Sequence, residues 1–126
     1  MTDSLINQWL IESDRYKSVS QALENALIET SWCQLNLNEF YVLYYLAEAD
    51  GKKMRLQELG PQIGLSSSAV SRLVAKMEAK SCHSIERTIC DEDKRGLYVR
   101  LTRSGKELLT NLLPLIEEVL ASYNKV

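Results

Sequence analysis

The residues best suited to bind another molecule fall in one short stretch: Ser66, Ser67, Ser68, Ser71, Arg72 and Lys76. Small hydroxyls let a backbone approach base edges, and long cations neutralise phosphates or reach guanine. On a helix Ser67 and Ser71 lie one turn apart, as do Ser68 and Arg72, and Arg72 and Lys76. The free amides at that helix's N-terminus also attract phosphate. A second polar group follows at the tip Asp91-Glu92-Asp93-Lys94-Arg95-Gly96, with Arg87 before it and Arg100 and Arg103 after it. A two-stranded ribbon can lay an arginine such as Arg95 into a narrow, electronegative minor groove. Asp93, two residues away, can orient a guanidinium. The pattern predicts a surface for duplex DNA. The plainer alternative is a solvated helix face followed by an ordinary charged turn.

The elements needed to hold these residues can be read from hydrophobic spacing. Residues 4–32 contain neither Pro nor Gly and read as one long helix. Leu5, Ile6, Trp9 and Leu10 form one apolar cluster, and Tyr16, Val19, Leu23, Ala26 and Leu27 continue the pattern. So long an apolar face predicts packing on a partner chain. Asn38 is expected to cap a second helix over 39–49, which Asp50-Gly51 ends. A short strand at 53–55 leads to a third helix at 56–63. Gly64 suits the left-handed residue closing that helix, and Ser66 caps a fourth helix over 67–80. Residues 85–89 and 97–102 read as two strands joined by the charged tip. Ser104 is expected to cap a last helix starting near Gly105, kinked at Pro114.

Length and composition fit one soluble domain: 126 residues, 45% hydrophobic and 25% charged. No apolar run approaches the ~20 residues of a membrane span. The first residues lack the layout of an export signal, so the expected compartment is the cytoplasm. Three cysteines, an odd number, fit a reducing compartment better than a disulfide framework. A net charge of −2 argues against DNA until its distribution is considered. Residues 51–106 hold twelve bases and six acids, whereas residues 1–50 hold two bases and eight acids. A basic middle between acidic ends is a common footprint of a nucleic-acid surface.

Across nearly its whole length the chain resembles the MarR family of winged-helix regulators. The resemblance is carried by Leu35-Asn36-Leu37-Asn38-Glu39-Phe40-Tyr41-Val42-Leu43, by Leu56-Gln57-Glu58-Leu59 and by Gly64-Leu65-Ser66 through Arg72-Leu73-Val74. It continues from Ile85-Glu86-Arg87 through Asp93-Lys94-Arg95 to Leu101-Thr102-Arg103-Ser104-Gly105. It implies a mainly α fold with a small β-wing, a winged helix-turn-helix over residues 35–103. Residues 1–34 and 104–126 would be dimerisation helices of the same single domain. It further implies a homodimer on a palindromic operator, recognition through 66–76, and wing contact by Arg95 oriented by Asp93. Many members look like repressors released by a small ligand or by thiol oxidation. The chain departs from the pattern at Gly60-Pro61, which predicts a bent or late-starting third helix, and at the longer link Ser81-Cys82-His83-Ser84. Its short C-terminus predicts no separate sixth helix.

Two groups suggest sensing. Trp32, Tyr41, Tyr44 and Tyr45 cluster where the family places its ligand pocket, and would suit a small aromatic effector; core aromatics are the other reading. Cys33, Cys82 and Cys90 are candidate redox residues, and Cys82, His83, Cys90 and Asp91 invite a zinc reading. A bond between Cys82 and Cys90 is unfavourable, because an extended 84–89 separates them by more than roughly 15 Å. Buried packing thiols are the simpler expectation, for Cys33 in particular. No metal site and no cofactor are expected. No catalytic constellation is present, so no enzyme activity is expected. The alternative to a DNA-binding regulator is a winged-helix protein-interaction module without DNA specificity.

Overall fold

The computed structural model describes residues 4–30, 33–89 and 96–123. In chain order these form α1 (Ser4–Thr30), α2 (Leu37–Glu48), β1 (Lys53–Arg55), α3 (Leu56–Ile63), α4 (Ser67–Ala79), β2 (Ile85–Ile89), β3 (Leu97–Leu101) and α5 (Arg103–Tyr123). Helices thus carry a small antiparallel sheet of order β1-β3-β2. This is the winged helix-turn-helix that the resemblance implies.

Helix α2 sits at the centre, packed on α1, α3, α5 and β3. Leu37, Phe40, Val42, Leu43 and Leu46 are all buried. Its start differs from expectation: Asn36, not Asn38, is the cap. The Asn36 side chain accepts from the Glu39 amide at 2.8 Å, and the Glu39 carboxylate accepts from the Asn36 amide at 2.9 Å. This reciprocal pair is a capping box and places the helix start two residues earlier. Glu24 of α1 accepts from the Leu37 amide, satisfying another of the free donors there. The last helix also starts earlier than expected, capped by Thr102 rather than Ser104, since the Gly105 amide donates to Thr102 Oγ1 at 3.0 Å.

Helix α3 neither starts late nor breaks at Pro61. It runs from Leu56 with Pro61 on its exposed side, where only one intrahelical bond is lost. Gly60 beside it faces inward: a Cβ there would lie 3.0 Å from the Leu65 carbonyl oxygen and 3.3 Å from Val70. The glycine therefore allows the helix-turn-helix to close. Gly64 ends α3 at φ +89°, as predicted. Helix α5 continues through Pro114 to Tyr123.

The sheet's inner face buries Ile85, Val99 and Leu101 against α2 and α4. Register pairs Lys53 with Arg100, Arg55 with Tyr98, and Glu86 with Arg100, which puts a mixed charged and aromatic row on the outer face. Along α1 the burial changes sharply. Leu23 and Leu27 are in the core, whereas Leu5, Ile6, Trp9, Leu10, Ile11 and Tyr16 are exposed.

Candidate nucleic-acid interface

Ser66 builds the start of α4. Its hydroxyl accepts from the Ala69 amide at 3.2 Å, and its backbone is extended as a cap requires. Val70, Val74 and Met77 are buried beneath the helix. The opposite face then follows from the 3.6-residue period. Ser67, Ser68, Arg72 and Lys76 are exposed, and Ser71 is half-buried at their edge. Among the described residues neither Arg72 nor Lys76 takes part in an ion pair. Both charges are presented to solvent, Arg72 in the middle of the helix and Lys76 in its last turn, while the free amides at the α4 N-terminus attract an anion.

One groove brings three elements together. It is lined by Arg55, Leu56 and Gln57 at the start of α3, Ser67 and Val70 of α4, and Gly96 and Leu97 where β3 leaves the wing tip. The N-terminal end of α4 and the tip-side end of the hairpin therefore share one side of the molecule. Sequence alone assigns no role to Arg55 or Gln57; the basic run Lys52-Lys53-Met54-Arg55 is the signal that points there. The Arg55 guanidinium lies 5.6 Å from the centre of the Tyr98 ring and 3.7 Å from Glu58, so stacking on the outer face of the sheet orients it. Lys53 lies over the same ring at 5.2 Å.

The wing cations behave differently from those of α4. Arg87 Nε donates to Glu78 at 2.8 Å, and the Arg87 amide donates to the same carboxylate at 2.9 Å. These bonds hold the Glu78 carboxyl below its ordinary range, with the backbone donor the largest cause. Arg87 thus fastens β2 to α4 through its Nε and its amide. Arg100 pairs with Glu86, and Arg103 with Glu107 at 3.4 Å. The tip residues Asp93, Lys94 and Arg95 lie outside the described residues, as do Cys90 and Trp32.

The tyrosines are spread along α2. Tyr41 and Tyr45 are half-buried and Tyr44 is exposed, with Tyr44 and Tyr45 rings edge-on at 5.9 Å. Tyr41 meets Tyr16 of α1 by a side-chain hydrogen bond. Burial, then the Tyr16 and Tyr45 phenols and the Glu24 carboxylate, push the Tyr41 phenol above its usual value. Tyr16 also lines a groove between α1 and α5 with Glu12, Arg15, Val19, Leu120 and Tyr123.

The cysteines correct the expectation of unbonded packing thiols. Cys33 and Cys82 are both buried, but they form a disulfide with Cα atoms 6.0 Å apart. Its partners are 49 residues apart, and nothing in the local sequence pairs them. Among the described residues no cluster of three or more His, Cys, Asp or Glu is placed to hold a metal. No helix there is long and apolar enough to cross a membrane.

Comparison with known proteins agrees with this architecture. Residues 34–96 match the model of the MarR family. The chain is 29% identical over 79 residues to the HTH-type transcriptional regulator SarZ of Staphylococcus epidermidis, covering 63% of this chain and 52% of SarZ. It thus spans about half the length of this relative. The structure of AbsC, a MarR family transcriptional regulator from Streptomyces coelicolor, superposes with a TM-score of 0.88 at 25% identity, over 98% of this chain and 80% of AbsC. A second MarR family regulator from that organism, solved in complex with DNA, has the same fold: TM-score 0.88, 22% identity, 98% and 75% coverage. With the helix-turn-helix, the wing and the family model all falling on the same residues, the chain belongs to the MarR family.

Proposed function

We propose that the chain is a transcription regulator that binds a palindromic operator in double-stranded DNA as a homodimer in the cytoplasm. The observation that carries this reading is the groove joining the α4 N-terminus to Gly96 and Leu97 of the wing, together with the exposed cations Arg72 and Lys76 on the same helix. Ser67, Ser68 and Ser71 approach bases or phosphates, Arg72 and Lys76 anchor the strand, and Arg87 holds the wing in place. Arg95, with Lys94 beside it and oriented by Asp93, reaches the minor groove. The exposed apolar face of α1 supplies the partner surface, together with α5. A DNA complex is known for a regulator of this fold.

The regulator acts as a repressor released by a ligand or a stress signal. The half-buried phenols of Tyr41 and Tyr45, with Tyr16 alongside, suit a small aromatic effector between α1 and α2. Selection of duplexes from a random pool by the purified protein tests the DNA reading. A two-fold motif is expected, with half-site centres roughly 34 Å apart and affinity falling steeply as salt rises. A pool with no enriched sequence would contradict it. Salt-insensitive capture of a protein partner without DNA binding would favour an interaction module.

A further inference from the structure

Arg55 occupies a position that helices usually give to other residues. It is the cap of α3, with extended backbone at φ −65° and ψ 141°, yet its side chain makes no capping bond. A guanidinium has no acceptor for the amides of a first turn, and its positive charge opposes the helix dipole there. Serine, threonine or aspartate would serve α3 better, so the arginine serves something else. Its surroundings show what. Tyr98 is its partner across the strand pair, and the guanidinium lies 5.6 Å from the centre of that ring. Lys53 lies over the same ring at 5.2 Å and has no ion pair among the described residues. The Glu58 carboxylate stands 3.7 Å from Arg55 Nε, beyond hydrogen-bond distance. Two cations on one ring repel each other. Stacking uses only the face of a guanidinium, while its N–H donors lie in the plane. The groove that Arg55 lines with Gln57 and Ser67 holds about 190 Å³. Small-molecule pockets begin near ~300 Å³, so this one suits a single charged group better than an effector.

We propose that Arg55 is a DNA-contacting residue that neutralises one backbone phosphate in this groove, and that Tyr98 is its positioning residue. This contact rests on the function proposed above and adds to it a point outside the exposed face of α4. Gln57 and Ser67 supply further donors to the phosphate oxygens, and Leu56 and Leu97 give the adjoining sugar an apolar wall. An anion held there offsets the repulsion between Arg55 and Lys53 and approaches the amides that the arginine leaves uncapped. Tyr98 acts through the arginine. Its ring narrows the conformations of the long side chain, so less freedom is lost when the phosphate binds. A phosphate carries no sequence, so the contact fixes register and strengthens binding to every duplex alike.

The test compares Arg55→Ala, Arg55→Lys, Tyr98→Phe, Tyr98→Leu and the double variant Arg55→Ala/Tyr98→Leu in the full chain. Affinity is measured over a salt series for the selected duplex and for a random-sequence duplex, beside each thermal midpoint. Arg55→Ala should weaken both duplexes by the same factor, about ten-fold, and decrease the salt slope by about one. Its thermal midpoint should stay within about 2 °C of the parent. Arg55→Lys should keep the slope and recover part of the affinity. Tyr98→Phe should bind as the parent does, and Tyr98→Leu should lose about three-fold. The double variant should lose no more than Arg55→Ala alone, because the ring acts only through the arginine. An Arg55→Ala chain with the parent's affinity and slope would overturn the contact. So would a loss confined to the selected duplex, which marks base reading, or additive losses in the double variant, or a Tyr98→Phe chain as weak as Tyr98→Leu. A parent that binds no duplex would strike the regulator reading and this contact with it, whereas a parent that binds beside an unaffected Arg55→Ala strikes the contact alone.

Discussion

At its N-terminal end α4 is capped by Ser66 and otherwise meets solvent through Ser67, Ser68 and Arg72. At its C-terminal end the same helix is held from three sides. Lys80 reaches Glu39 and Gln34, Glu78 receives two donors from Arg87, and the following link is bonded to Cys33 and tied to the end of β3 by the Thr102 amide on the Ser84 carbonyl. The contrast shows how one helix serves two purposes. Lys80, Glu78 and Arg87 at the fastened end find partners within the chain and fix where the helix lies. Those at the open end are left for a partner outside the chain. An exposed cation lacking an internal partner adds little to stability, whereas a buried carboxylate without its partner is costly.

Substitutions at the fastened end should therefore cost stability, and those at the open end should not. The largest effect is expected for Gly105→Ala. A Cβ there would lie 2.0 Å from the Ser84 carbonyl oxygen and 2.7 Å from Leu101, so α5 or the link must shift. A loss of about 3 kcal/mol in urea unfolding is expected, and a midpoint equal to that of the parent would refute the tight approach. Glu39→Ala comes next. It removes the buried partner of Lys80 and half of the capping box, for a loss of about 2 kcal/mol. Glu39→Gln should lose less, because the amide oxygen can still accept from Asn36.

A smaller, pH-dependent effect is expected at Glu78. Its carboxyl is held below the ordinary 4.5. The stability it contributes is thus complete above the unfolded value and fades as pH falls through the lower folded one. Glu78→Gln should cost about 1 kcal/mol near neutrality. The gap between variant and parent, followed by thermal unfolding across an acid series, should close as the pH drops. A gap that widens in acid would reverse the sign assigned here.

Much of the fold is legible in the sequence because it depends on local signals. The apolar period places α3 at Leu56–Ile63, Gly64 closes it, and Ser66 caps α4. The start of α2 is harder to place because Asn36 and Asn38 are equivalent as residue types. The choice comes from Glu39, which lies three residues after Asn36 and is drawn inward by Lys80. At the site, the exposed face of α4 follows from its period, but the engagement of Arg87 does not. That pairing depends on β2 lying against Glu78, a fact of packing. The Cys33–Cys82 bond and the groove beside Arg55 are hidden for the same reason, since each needs segments distant in sequence to be brought together.

The most direct test of the exposed face of α4 is the affinity of Arg72→Ala/Lys76→Ala for the selected duplex, measured over a salt series beside its thermal midpoint. Stability should stay within about 0.5 kcal/mol of the parent. Affinity should fall about ten-fold or more, and the salt slope should decrease by about one for each phosphate that is no longer neutralised. A variant that binds as tightly as the parent with an unchanged slope would contradict the assignment of this face to DNA.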